Sequence, residues 1–203
     1  MDAFLGFGKF ANQVIDHFNV TEEFAIFDSN EITGKNTFNF DDYLKYSKDF
    51  EWIIAIGYLH LVKKHAIMTD LIKYCASLKT LVHPTVNLSK NSEIFPGSII
   101  YPGCNLDHRV KILSGAILNN SVIVSHDSSI GECSYISPGV ILSGDVTIGN
   151  RCFIGAGSVI ANSVSIGDDS VIGVGSVITM DVPSGSQVIG NPMRFLNKKI
   201  KLI

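Results

Sequence analysis

The sequence predicts a small parallel α/β domain followed by a parallel β-helix built from hexapeptide repeats. Two observations carry this: a strict period of six in the last three fifths of the chain, and strands alternating with helices, without that period, before it. Every sixth residue from Val82 to Ile178 is aliphatic, 17 positions in one phase, Leu106, Ile112, Leu118, Val124, Ile130, Ile136 and Leu142 among them. Four places after each sits a small or β-branched residue, as at Val110, Ala116, Val122, Ser128 and Ser134. A helix face repeats near 3.6 and an alternating strand at 2, so neither explains a period of six. One short strand and a turn per hexad does. The large aliphatic points inward, the small residue fills the corner, and three hexads close one triangular coil. Coils then stack at about 4.8 Å. Glycines at hexad positions two and four, such as Gly131, Gly149, Gly157 and Gly175, are expected to supply backbone freedom at the corners. A β-sandwich would not hold one phase through so many hexads.

Residues 1–80 read differently. Residues 3–7 are expected to form a strand, 9–18 a helix, 24–27 a strand ending at Asp28, 52–56 a strand ending at Gly57, and 59–76 a helix. Alternation of this kind implies a parallel sheet. The first turn, Gly6-Phe7-Gly8-Lys9-Phe10-Ala11, is a G-x-G-x-x-A run with Asp28 twenty residues beyond Gly8. Such a turn lets a backbone approach a pyrophosphate at a helix N-terminus, and an acid after the second strand meets a ribose hydroxyl. About 80 residues supply little more than one mononucleotide half. A nucleotide diphosphate moiety is therefore favoured over NAD, with a purely structural glycine turn as the alternative.

The 203 residues are 46% hydrophobic, enough for a packed core. A net charge of -3, with Lys and Arg spread along the chain, gives no electrostatic reason to expect nucleic acid or membrane as partner. The start lacks a basic leader region and no apolar run reaches bilayer length, so a cytoplasmic protein acting on small molecules is expected. Cys75, Cys104, Cys133 and Cys152 form no close pair and are expected to be packing residues.

A coil of three hexads brings His108, His126, Gly144 and Asn162 into one column at a turn. Asp107 precedes His108 and Asp127 follows His126, so either imidazole could have a carboxylate to fix its tautomer. Gly144, one coil beyond His126, offers an unshielded N–H for a developing oxyanion. A base beside such a donor suits acyl transfer from a thioester. The alternative is that both histidines are ordinary exposed turn residues.

The hexad run from Val82 to Val182, the segment ILNNSVIVSHDSSIGE at 117–132 and the closing GNPMR at 190–194 together resemble a family. It is that of the bacterial sugar acetyltransferases, which includes sialic acid O-acetyltransferases and nucleotide-linked 4-amino-sugar N-acetyltransferases. The resemblance covers essentially the whole chain. It implies a small Rossmann-like domain over residues 1–80 and a left-handed β-helix over 81–203; the handedness departs from the right-handed crossover rule. It further implies His126 as general base, Asp127 as its supporting carboxylate, Asn119 near the sugar amine, and Gly144 as donor to the acetyl carbonyl. Acetyl-CoA would lie between β-helices of a homotrimer, near Gly157 and Gly175, with its adenine end toward Asn191, Pro192 and Arg194. No metal is implied. Gly6, Gly8, Asp28 and Gly57 match the loops that hold the substrate's nucleotide, and Lys198, Lys199 and Lys201 could meet phosphates. Tyr135 stands where many relatives carry a second, cofactor-contacting histidine; a phenol donates a hydrogen bond but does not titrate near neutrality.

The activity this implies is acetyl-CoA-dependent N-acetylation of the 4-amino group of a nucleotide-linked 4-amino-4,6-dideoxyhexose, with the dTDP-linked glucose form preferred, in surface glycan assembly. O-acetylation of a sugar such as sialic acid, a non-catalytic trimeric scaffold and a carbonic-anhydrase-like solenoid are the competing readings.

Overall fold

The computed structural model describes residues 1–20, 23–29 and 36–197, which form two compact units, Met1–Leu81 and Val82–Ile203. Lys198, Lys199 and Lys201 lie outside the described residues.

The first unit holds β1 (Asp2–Leu5), α1 (Lys9–Phe18), β2 (Phe24–Asp28), β3 (Thr37–Asn39), β4 (Glu51–Ile54), α2 (Leu61–Lys73) and β5 (Ser77–Leu78). All pairings are parallel, in the order β3-β2-β1-β4-β5. Ala3, Phe4 and Leu5 are all fully buried, as expected of a central parallel strand covered on both faces. Helix α1 buries Ala11 and Val14, one turn apart on the same face. The expected strand over 3–7 stops at Leu5 because Gly6 (φ 87°) turns the chain and gives its N–H to the Phe27 carbonyl at 2.8 Å. The expected helix over 59–76 begins at Leu61, after a single 3₁₀ turn over Tyr58–His60, and ends at Lys73. Strands β3 and β5, of three and two residues, are too short to register as alternating patterns.

The second unit is the expected solenoid. Its two-residue strands fall on three faces. The first face carries Ile99–Ile100, Ile117–Leu118, Tyr135–Ile136, Phe153–Ile154 and Val171–Ile172. The second carries Asn105–Leu106, Ile123–Val124, Ile141–Leu142, Val159–Ile160 and Val177–Ile178. The third carries Lys111–Ile112, Ser129–Ile130, Thr147–Ile148 and Ser165–Ile166. Partners stand three hexads apart, as at Leu106 and Val124, so each hexad aliphatic sits on its counterpart in the next coil. Leu106, Ile112, Leu118, Val124, Ile130 and Ile136 are buried, and so are the corner residues Val110, Ala116 and Val122. Val82 and Leu88, first in the phase, are exposed.

Three expectations are corrected. The two glycine positions of the hexad have different causes. Position four is the left-handed corner, as at Gly157 (φ 66°), and Arg109, Asp127 and Arg151 take the same conformation there. Position two is a matter of stacking: a Cβ on Gly131 would collide with the Gly149 carbonyl of the next coil. The last coil is also shorter than the period demands, since Ile172 pairs with Val188, and the chain then reverses into an antiparallel strand at Arg194–Phe195. Of the cysteines, Cys104, Cys133 and Cys152 are packing residues, and burial pushes the Cys104 and Cys152 thiols up to about 11. Cys75 is exposed.

Candidate active site

The turn from the second face to the third holds position three of the hexad, where a side chain leaves the barrel. His126 occupies it. Asp127 follows in the left-handed conformation (φ 61°), which short polar side chains tolerate better than most. Its Oδ2 lies 2.9 Å from Nδ1 of His126. The other oxygen, Oδ1, accepts from Nε of Arg109, one coil earlier, at 2.5 Å. The Arg109 guanidinium first, and His126 second, hold the Asp127 carboxyl well below the usual carboxylate range. A carboxylate on Nδ1 selects the tautomer that leaves Nε2 as the basic nitrogen.

The next coil accommodates the ring. Gly144 is buried, and a Cβ built on it would stand 2.6 Å from both Cε1 and Nε2 of His126. Any other residue at 144 would displace the imidazole. Gly144 thus has a steric duty that the sequence reading, which saw an open N–H donor, did not anticipate.

The two histidines of the column differ. Asp107 accepts the backbone N–H of His108 at 2.7 Å instead of reaching its ring. The ring itself lies 3.3 Å from Asn91 Nδ2 and 3.2 Å from an Arg109 nitrogen. Among the described residues, no carboxylate bonds the His108 imidazole. Asn91 and Arg109 were missed in the sequence, although Arg109 stands one full coil before Asp127 and the column rule that paired His108 with His126 would have found it.

The remaining residues lie on the edge between the first and second faces. Asn119 gives Nδ2 to the Tyr135 hydroxyl at 2.7 Å and accepts the Asn120 N–H at 2.8 Å. Tyr135 is buried and stacks on Phe153 at 5.9 Å, so its phenol is engaged with Asn119. Gly157 and Gly175 stack on this edge with φ 66° each and open space where a side chain would be. The chain returns to it at Gly190, whose carbonyl accepts from Val177, and Asn191, Pro192 and Arg194 follow, all exposed. Hence His126, Asp127 and Gly144 share one edge, and Asn119, Gly157, Gly175 and Asn191 another. Between them runs the second face, whose outward residues Ile123, Ile141, Val159 and Val177 form an aliphatic stripe; Ile123 is 41% exposed. The third face shows Glu93, Lys111, Ser129, Thr147 and Ser165 instead.

Taken by itself, the first unit has one further assembly. Strand order reverses between β1 and β4, the position where open parallel sheets receive ligands beyond their carboxyl ends. Gly6 and Gly8 follow β1, Gly57 follows β4, and Asp28 ends β2, so all four gather at that edge. Asp28 Oδ2 accepts the Phe7 N–H at 2.5 Å, bracing the glycine turn. Gly8 begins α1 without a side-chain cap, and nothing lies within 4 Å of where its Cβ would be.

The repeats match known families. The family model for the bacterial transferase hexapeptide (six repeats) covers residues 127–162, and that for the hexapeptide repeat of succinyl-transferase covers 145–180. Residues 127–180 therefore carry the bacterial transferase hexapeptide repeat. Solved structures share its fold across both units. The acetyltransferase domain of PglB from Neisseria gonorrhoeae FA1090, in complex with acetyl coenzyme A, is 25% identical over 96% of this chain and 98% of that one, with a TM-score of 0.85. WeeI from Acinetobacter baumannii AYE is 25% identical over 97% and 99%, at 0.83. A mutant of perosamine N-acetyltransferase from Caulobacter crescentus, in complex with CoA and GDP-perosamine, is 24% identical over 97% and 96%, at 0.88. The solenoid of this chain is accordingly a left-handed parallel β-helix. No curated protein matches it by sequence. No helix among the described residues is long and apolar enough to cross a membrane.

Proposed function

We propose that this transferase moves the acetyl group of acetyl-CoA onto the 4-amino group of a nucleotide-linked 4-amino-4,6-dideoxyhexose. The observation that carries the reading is the His126–Asp127 pair, with Nδ1 held at 2.9 Å and the ring seated over Gly144. The complexes of the PglB domain with acetyl coenzyme A and of perosamine N-acetyltransferase with CoA and GDP-perosamine supply the substrate classes.

In this reading the sugar nitrogen attacks the thioester carbonyl, forming the C–N bond. His126 Nε2 takes the proton that the nitrogen loses. The C–S bond breaks, and the imidazolium returns the proton to the departing thiolate. Asp127 stabilises that imidazolium and keeps its ring oriented. The Gly144 N–H, which meets no acceptor among the described residues, is the donor for the carbonyl oxygen. The turn of Gly6 and Gly8 with the open N-terminus of α1 would hold the nucleotide diphosphate, Asp28 and Gly57 flanking it.

The pantetheine arm fits the Gly157 and Gly175 edge, where the backbone is bare and open, and Asn191, Pro192 and Arg194 would meet its nucleotide end. That edge is not the edge of His126. A second copy docked through the aliphatic stripe of Ile123 and Ile141 would bring the base edge of one chain against the donor edge of the next. Repetition around a threefold axis gives a closed homotrimer with three such sites.

The test is acetyl-CoA-dependent thiol release with dTDP-, UDP- and GDP-linked 4-amino-4,6-dideoxyhexoses, for wild type and His126→Ala. Turnover of one of them that falls roughly 100-fold in the variant supports both reaction and base. Activity on sialic acid alone would replace N-acetylation by O-acetylation.

A further inference from the structure

We infer that Arg109 is a positioning residue for the base, acting on His126 through Asp127; this rests on the acyl-transfer reading above. Asp127 is bonded on both oxygens, Oδ1 by Arg109 Nε at 2.5 Å and Oδ2 by His126 Nδ1 at 2.9 Å. A carboxylate on a turn can rotate about its last side-chain bond; fixing one oxygen fixes the direction of the other. Arg109 thus sets the line along which Asp127 meets the imidazole, and hence where Nε2 lies over Gly144.

The fold contains its own control. Arg151 and Asp169 are also one coil apart, also both left-handed, and also stacked at a corner. There the arginine engages both carboxylate oxygens, Nε to Oδ1 and an amino nitrogen to Oδ2, each at 2.7 Å, and the residue before the aspartate is Asp168 where the other corner has His126. If Arg109 were only a clamp between coils, the same two-pronged pair would serve. Instead, one oxygen is left for His126, and the Arg109 amino group turns to the His108 ring at 3.2 Å.

The experiment compares wild type with Arg109→Met, Arg109→Lys and, as the matched control, Arg151→Met. The first readout is histidine nitrogen NMR of the unliganded protein, giving the tautomer balance of His126. The second is kcat and KM across pH with the best amino-sugar substrate. Arg109→Met is expected to mix the tautomers and lower kcat about tenfold with KM little changed. Arg109→Lys keeps the charge without the planar fork, so it should restore the tautomer balance and kcat only in part. Arg151→Met should leave His126 and kcat as they are. An unchanged His126 tautomer balance in Arg109→Met would overturn the assignment, as would equal effects of Arg151→Met. If Arg109→Met does not fold, a wild-type tautomer balance and kcat in Arg109→Lys would overturn it equally. No turnover by the wild type, with the NMR changes intact, would sink the acyl-transfer reading and leave Arg109 as the residue that orients His126.

Discussion

The imidazole of His126 rests on Gly144, close enough that a Cβ at 144 would stand 2.6 Å from its Nε2. The relation joins a base to the glycine one coil later, and it makes Gly144 a determinant of where the base lies.

Gly144→Ala is therefore expected to fold and to lose activity. The added methyl pushes an exposed ring outward and leaves the buried core untouched. We expect kcat to fall at least about tenfold, the scale of a misplaced catalytic group, with a changed His126 imidazole signal by NMR and an unchanged far-ultraviolet spectrum. Wild-type turnover in this variant would separate ring placement from catalysis.

Asp127→Asn keeps the shape and removes the charge. The carboxyl is held below its ordinary value, so its contribution is present above the unfolded carboxylate value, about 3.9, and is lost only as pH falls through the lower folded value. Across roughly pH 5 to 9 the carboxylate is constant, so an inflection in kcat there does not belong to Asp127. The expected result is a kcat drop of about 10- to 100-fold across that whole range. A loss confined to acid pH would assign the titration to Asp127 instead.

Subunit sharing has a direct readout. His126→Ala and Asn119→Ala change opposite edges of the second face, so in the proposed homotrimer mixed assemblies would contain sites with both wild-type edges. Unfolding and refolding the two inactive variants together should regain measurable thiol release, while each alone does not. Ile141→Asp, on the stripe between the edges, should give monomers by light scattering. Activity in such monomers would mean that one chain suffices.

Nucleotide binding should depend on Gly8 without stability doing so. Space around Gly8 is open, so Gly8→Val is accepted sterically by the free protein, yet it sets a branched side chain before the N-terminus of α1. Calorimetric affinity for dTDP, UDP or GDP, whichever the wild type binds, is expected to fall at least about tenfold, or roughly 1.4 kcal/mol. Unchanged affinity would leave the glycine turn as a structural device.

In the solenoid core, Leu142 is fully buried between Val124 and Ile160 of the adjacent coils. Leu142→Ala should destabilise the unit by about 2–5 kcal/mol, seen as a lower denaturant midpoint. Ile141→Ala, next to it in the chain and facing outward, should change it far less.

What the sequence determined by itself was whatever follows from repetition and chain adjacency. A phase of six held over 17 hexads admits few architectures, because a buried strand face must recur at the coil length. His126 and Asp127 meet because they are neighbours, and a left-handed turn aims one at the other. The column rule also placed Gly144 beside His126, though not the reason for the glycine. Tertiary structure decided everything that depends on direction across coils. Arg109 reaches Asp127 rather than solvent, Asp107 turns to its own backbone, and Tyr135 gives its hydroxyl to Asn119; neighbouring side chains fix these choices, and no local pattern records them. The order β3-β2-β1-β4-β5 arises in part from two very short edge strands that leave no periodic trace. The division of the site residues between two edges is likewise a property of the closed triangular coil. Asn119 and His126, close in the chain, stand on opposite sides of one face, because a short strand and its two turns lie between them.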